Sequence, residues 1–445
     1  MKKILLFSLI VTICFAQTSV TVYNENLGLI KETKSIQLEK GEQTLQITDV
    51  AAQLDPTSVL LKSVNYPDDV RVLEQNFRYD LVNVSKIYHK FIGSKIRFYT
   101  ENGEKFTGKL LSAGGSVVLQ NDDGSVQIIN AKQIVNAEFP ELPEGLITRP
   151  TLDWTIQSAR KGDEKLEISY LTSGMSWHAE YLFSVLQNGK FSLASWVSIE
   201  NESGATYENA KLKLVAGDIH RAERQRYGGR PSVMMKAESA DAGFQERELF
   251  EYHVYELPRK VTLQNQEIKQ IALFDSREIE AEKYFRIDGG GQSSEKLPAR
   301  VFFDIENSEK SGLGMPLPAG KIRMFSEDSD GSLELVGEDR IEHTPKKEIT
   351  SIQAGKAFDV VAERTIESYE KTGKKSEKFV VSIEIRNRKN QKIPIRIFER
   401  ISRTAKIKNS THDFTDTKSG EVRFDVTIDG EKSETVKFTI INEWK

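Results

Sequence analysis

Cysteine is nearly missing from this sequence. Cys14 is the single example in 445 residues, and it falls inside an N-terminal apolar run. The rest of the chain therefore has no disulfide, no redox thiol and no thiolate metal ligand. A body of more than four hundred residues can bury a core without such staples, which serve mostly small domains. An excess of charge of one sign is also missing: 62 Lys and Arg stand against 66 Asp and Glu, a formal net charge of −4. That balance excludes the basic stripe of a nucleic-acid binder. Beyond the first sixteen residues no apolar stretch approaches the ~20 residues of a membrane-spanning helix, so no transmembrane segment is expected in the mature chain. Catalytic signatures are missing as well. There is no Gly-x-Ser-x-Gly elbow and no His-Glu-x-x-His, and Gly289-Gly290-Gly291 lacks the helix and lysine that complete a phosphate loop. The sequence names no reaction.

What is present begins with an address. Lys2 and Lys3 precede the apolar run Ile4 to Ile13, and Cys14-Phe15-Ala16 leads to polar Gln17. A charged start, a short apolar middle and small residues at the exit make a secretory signal peptide. Cleavage is expected between Ala16 and Gln17, which places the mature protein outside the cytoplasm, periplasmic or secreted. Ile13 stands where a lipoprotein signal would have a small residue, so Cys14 is read as part of the leader.

The dominant rhythm of the body has period two. Val422, Phe424, Val426 and Ile428 alternate with Arg423, Asp425 and Thr427, and Phe379, Val381, Ile383 and Ile385 alternate in the same way. Successive side chains of a strand point to opposite faces, so the pattern marks half-buried strands. Asn102-Gly103, Asp123-Gly124, Asn188-Gly189, Asp330-Gly331 and Asp429-Gly430 separate such runs with hairpin-turn pairs. The expected fold class is all-β: β-sandwich domains, an inserted small barrel of the SH3 or Sm kind and a C-terminal immunoglobulin-like sandwich.

The expected organisation is a signal peptide at 1–16 and N-terminal strands at 17–84 packing with a middle sandwich. A short helix plus small barrel follows at 85–139. Its helix carries Ile87, Tyr88, Phe91 and Ile92 before Gly93, and its strands are expected at 94–100, 105–112, 115–120, 125–130 and 133–138. The middle sandwich covers 140–287 and contains a mobile loop at 221–245. The tract Gly289-Gly290-Gly291-Gln292-Ser293-Ser294 suggests a flexible linker at 288–298, and the last sandwich covers 299–445.

Several blocks carry a family likeness. They include Leu142-Pro143-Glu144-Gly145-Leu146, Arg149-Pro150-Thr151-Leu152 and Ser169-Tyr170-Leu171-Thr172-Ser173-Gly174-Met175-Ser176-Trp177. Asn201-Glu202-Ser203-Gly204, Leu214-Val215-Ala216-Gly217-Asp218 and the run from Gly312 to Gly320 continue the set. Jointly they resemble the DUF4139 family, exported bacterial proteins related to the mucoidy inhibitor group. The resemblance implies a mostly β fold and a place in the bacterial cell envelope, and it supplies no catalytic residue.

Candidate site residues are few. Trp196 shares a strand face with Ser192, Ala194, Ser198 and Glu200, opposite the apolar face. It suits stacking on a sugar or a partner surface, or covering a neighbouring sheet. His178 and Glu180 share one strand face, and Asp218 and His220 have the same spacing. On neighbouring strands these four would offer ligands for zinc or calcium; the commoner explanation is a solvated polar face. No cofactor and no metal are expected. The expected function is a non-enzymatic extracytoplasmic binding or scaffolding role toward a protein or glycan of the cell envelope. The alternative is a hydrolase of envelope polysaccharide or peptide, with or without the help of a metal.

Overall fold

A computed structural model describes residues 17–79, 84–140, 147–217, 244–249, 252–291, 293–418 and 420–443. The chain is all-β, about 67% strand and 3% helix. It divides into two compact units. The first contains residues up to Ser176 together with Glu200–Leu212 and Arg259–Glu267; the second holds the rest. Among the described residues no helix is long and apolar enough to cross a membrane.

In the first unit the strand Gln17–Tyr23 pairs antiparallel with Gly28–Leu38, which pairs in turn with Gly162–Thr172. Leu60–Ser63 closes the far edge of this sheet. The register runs from Thr172 opposite Gly28 to Gly162 opposite Leu38. The N-terminal strands thus pair with a strand that lies beyond the barrel in sequence. The reason is apolar: Val20, Val22, Ile30, Ile36, Leu38, Leu166 and Ile168 alternate along three strands and are all buried. A second, three-stranded sheet places Thr151–Ser158 between Gly41–Thr48 and Val70–Arg78. Its central strand buries Leu152, Trp154 and Ile156.

The small barrel follows the sequence closely. The helix Val84–Lys90 precedes the strands Lys95–Thr100, Lys105–Ala113, Ser116–Gln120, Val126–Asn130 and Ile134–Glu138. The last strand lies beside the first, and the others follow in order. Ile96, Phe98, Leu110, Val117, Leu119 and Ile129 form its core, covered by Phe91, Ile87 and Tyr88. Ile92, expected in the same stripe, is exposed instead, because the chain turns at Gly93 (φ 91°) and hands that N–H to Leu110 O at 2.7 Å.

In the second unit a five-stranded sheet runs Glu267–Ile279, Phe191–Asn201, Met175–Val185, Gly320–Glu327, Leu333–Ile341. Met175–Val185 and Gly320–Glu327 are parallel neighbours. On the inner face Trp177 donates to Val215 O (3.1 Å) and Tyr181 to Pro318 O (2.8 Å), and Tyr255, on the strand Tyr252–Glu256 of another sheet, donates to Pro316 O (3.0 Å). Each buried aromatic therefore satisfies its one polar atom on a carbonyl.

Nine further strands form one continuous sheet. It curls until Phe424, near one edge, stacks on Phe438, near the other, with ring centroids 5.0 Å apart. The result is sandwich-like, with a single core from Phe285 to Ile440. This sheet changes two boundaries. Residues 288–298 are not a linker: Glu282–Gly290 and Glu295–Glu306 are adjacent antiparallel strands, and both contribute to the same core. The last sandwich therefore starts before 299. Gly289 and Gly290 lie close against neighbouring side chains. A Cβ on Gly289 would lie 2.3 Å from Glu399 Oε2, and Glu399 is wholly buried against Arg364 (Nη2 to Oε1, 2.6 Å). Arg364 also donates to Gly291 O at 3.1 Å and Ser293 O at 2.8 Å, which ties down the turn.

Three strand ends share one device. Asn201, Asn307 and Asn387 are buried, and each side-chain amide donates to three carbonyls. Asn201 closes the turn after its strand by accepting from Ser203, and its buried amide also collects Ala205, Leu263 and Gln264. Of the expected hairpin glycines, Gly103, Gly124, Gly189 and Gly331 have positive φ. Gly430 differs: Glu431 takes the positive φ, and a Cβ on Gly430 would lie 2.5 Å from the Asn390 carbonyl oxygen.

Candidate functional site

The outer face of the five-stranded sheet gathers three of the five expected residues. Leu186 N bonds Lys190 O and Glu202 N bonds Gly174 O. These bonds hold the hairpin of Met175–Val185 and Phe191–Asn201 in one register, with Trp196 directly opposite Glu180. On the other side Glu267–Ile279 is the neighbouring strand, and Gln270 Nε2 donates to Ser198 Oγ at 3.1 Å. The Trp196 indole is 41% exposed.

From Glu180 a charged row crosses three strands. His178 Nε2 lies 3.3 Å from Glu180 Oε1. Arg323 Nη1 donates to Glu180 Oε2 at 3.0 Å, and its Nε donates to Glu338 Oε1 at 3.0 Å. Lys321 ends the row on Glu338 Oε2 at 2.8 Å. Partial burial works to raise the Glu180 carboxyl. The hydrogen bonds from Arg323 and His178 outweigh it, so the pKa lies below the ordinary glutamate value. The Arg323 guanidinium is raised by the same bond to Glu180, and Lys321 first, then Arg323, keep Glu338 low. The face is therefore a fixed pattern of opposite charges beside a flat, half-exposed aromatic ring. It can stack on a ring or apolar surface while offering directed donors and acceptors next to it.

Asp218 and His220 lie outside the described residues, as do Ala16 and residues 221–243 of the expected mobile loop. Phe244 is buried and Gln245–Leu249 is a strand, so the expected loop ends earlier than 245. Among the described residues no three His, Asp or Glu side chains converge as metal ligands. Sequence reasoning missed Arg323, Glu338 and Lys321. Arg323 is 143 residues from its partner Glu180, and only the parallel pairing of Met175–Val185 with Gly320–Glu327 joins them. The one sequence signal was the alternation Lys321, Arg323 against buried Ile322 and Met324.

Three described residues of the blocks that carry the family likeness, Trp177, Gly174 and Gly217, serve packing. Trp177 is core. Gly174 (φ 78°) lets the Glu202 carbonyl approach to 2.8 Å of where its Cβ would be, and Gly217 does the same for the Tyr252 ring at 2.6 Å. No protein-family model matches the chain, and no curated protein matches it.

Proposed function

We propose that this is an exported, DUF4139-like binding or scaffolding protein of the bacterial cell envelope, without catalytic activity, whose recognition surface is the Trp196 face. One observation carries the reading. The sheet spends an exposed tryptophan and a five-residue ion row on its solvent side, although its core is already complete on the other. Exposed aromatics beside arginine are the groups that dominate recognition energies at interfaces. The partner is a protein or glycan of the envelope. Export is supported by the leader-like pattern of Lys2, Lys3 and the apolar run that follows.

Two measurements test it. N-terminal sequencing of the protein recovered from cell fractions should begin at Gln17 in an extracytoplasmic fraction; recovery with residues 1–16 attached, inside the cell, overturns the export claim. Titration with solubilised envelope proteins and glycans, read by calorimetry, should show saturable binding in the wild type and none in Trp196→Ala. A response of equal size in both proteins places recognition elsewhere.

A further inference from the structure

A second surface lies on the curled sheet, over the glycine tract. A groove of about 530 Å³ is lined by Arg286, Asp288, Arg300, Glu295 and Arg400, with the backbone of Gly289–Gly291 as its floor. That volume is within the ~300–1,000 Å³ range of small-ligand sites. Asp288 is already engaged: Arg286 Nη2 holds it at 2.7 Å and Arg300 Nη1 at 3.0 Å. Arg400 and Glu295, both exposed, make no ion pair or side-chain hydrogen bond among the described residues. The groove thus has one wholly unused guanidinium, further unused N–H groups on Arg300, and one unused carboxylate acceptor.

The floor is rigid. The buried Arg364 grips Gly291 O and Ser293 O from beneath. A Cβ on Gly290 (φ 146°) would lie 2.9 Å from Arg400 Cβ, so glycine there lets the arginine stem lie against bare backbone.

We infer that this groove binds a carboxylated saccharide, with Arg400 and Arg300 on its carboxylate and Glu295 accepting from its hydroxyls. The guanidinium fork matches a carboxylate in a bidentate way. An acidic peptide is the poorer fit, because it would set a carboxylate at every residue against Glu295 and Asp288. The site is separate from the Trp196 face and does not depend on it.

The test is calorimetric titration of the full chain with a uronic-acid hexasaccharide, a neutral hexasaccharide and a glutamate hexapeptide. The expected result is saturable binding of the uronic-acid oligomer alone. Arg400→Ala should weaken it by about tenfold or more, as loss of a charge-assisted fork does, and Glu295→Gln by less. Trp196→Ala should leave it unchanged. Arg400 is exposed, so circular dichroism and the unfolding midpoint should match the wild type. Absence of uronic-acid binding, equal binding of the glutamate peptide, or binding that survives Arg400→Ala would each overturn the assignment.

Discussion

Two ion pairs in the second unit use the same chemistry to opposite ends. Arg364–Glu399 is wholly buried, whereas Glu180–Arg323 lies on an open sheet face. The buried pair sits inside the curled sheet, where both ions have lost water and only their mutual bonds and the turn carbonyls replace it. The open pair keeps much of its hydration, and its Coulomb energy is screened. The first is therefore committed to holding the fold, and the second is available to a partner. The difference appears in the sign of their titration. Burial pushes the Glu399 carboxyl up, against the pull of Arg364, whereas the Glu180 carboxyl is drawn down.

Breaking the buried pair should have the largest effect. Glu399→Ala strands the Arg364 guanidinium without its counter-ion and should cost about 3–5 kcal/mol, the usual penalty for one partner of a buried pair, measured by urea unfolding. Replacing both residues, with Arg364→Met and Glu399→Leu, should recover much of that loss. Gly289→Ala presses a methyl onto the same carboxylate and should cost about 1–3 kcal/mol through overpacking. Asn387→Ala orphans the carbonyls of Gln391, Ile428 and Asp429 and should cost about 1–3 kcal/mol; a loss below half a unit would show that water replaces the hub.

The pH dependence sharpens the contrast. A raised folded pKa means that the Glu399 contribution is fully present below the ordinary carboxylate pKa of about 4.3 and is lost as pH rises through its folded value. The depressed pKa of Glu180 acts the other way: its contribution is present above that ordinary value and is lost as pH falls through the folded one. Unfolding midpoints from pH 3 to 8 should therefore show Glu180→Gln removing part of the acid-side loss and Glu399→Gln removing part of the loss on the alkaline side. At neutral pH, Glu180→Gln and Arg323→Ala should each change stability by about 1 kcal/mol or less, and Trp196→Ala by about 0.5 kcal/mol or less. All three should impair partner binding.

Much of this architecture was legible because period-two alternation is a local signal. The barrel strands were expected within a residue or two of their observed ends, and Trp196 was assigned to the face opposite the apolar one from parity alone. What was not legible depends on long-range pairing. The glycine tract has the composition of a linker, and nothing local says that Glu399, more than a hundred residues later, needs the space a Cβ would fill. Asn201 looks like a turn residue until Leu263 and Gln264 arrive beside it. The recognition face was half visible: His178, Glu180 and Trp196 share a hairpin, but Arg323 and Glu338 join through a parallel neighbour that no turn announces.

The central claim is that the open face, unlike the buried pair, exists to meet another molecule. Its most direct test is a photo-crosslinking amino acid at Ala194, on the same strand face and with Trp196 left in place, in intact cells, with a matched one at Asp330 in an exposed hairpin turn. The account predicts a discrete higher-mass adduct from position 194, lost when Trp196→Ala or Arg323→Ala is added, and no adduct from position 330. Recovery of only the uncrosslinked chain from position 194 across growth conditions, or the same adduct from both positions, would contradict it.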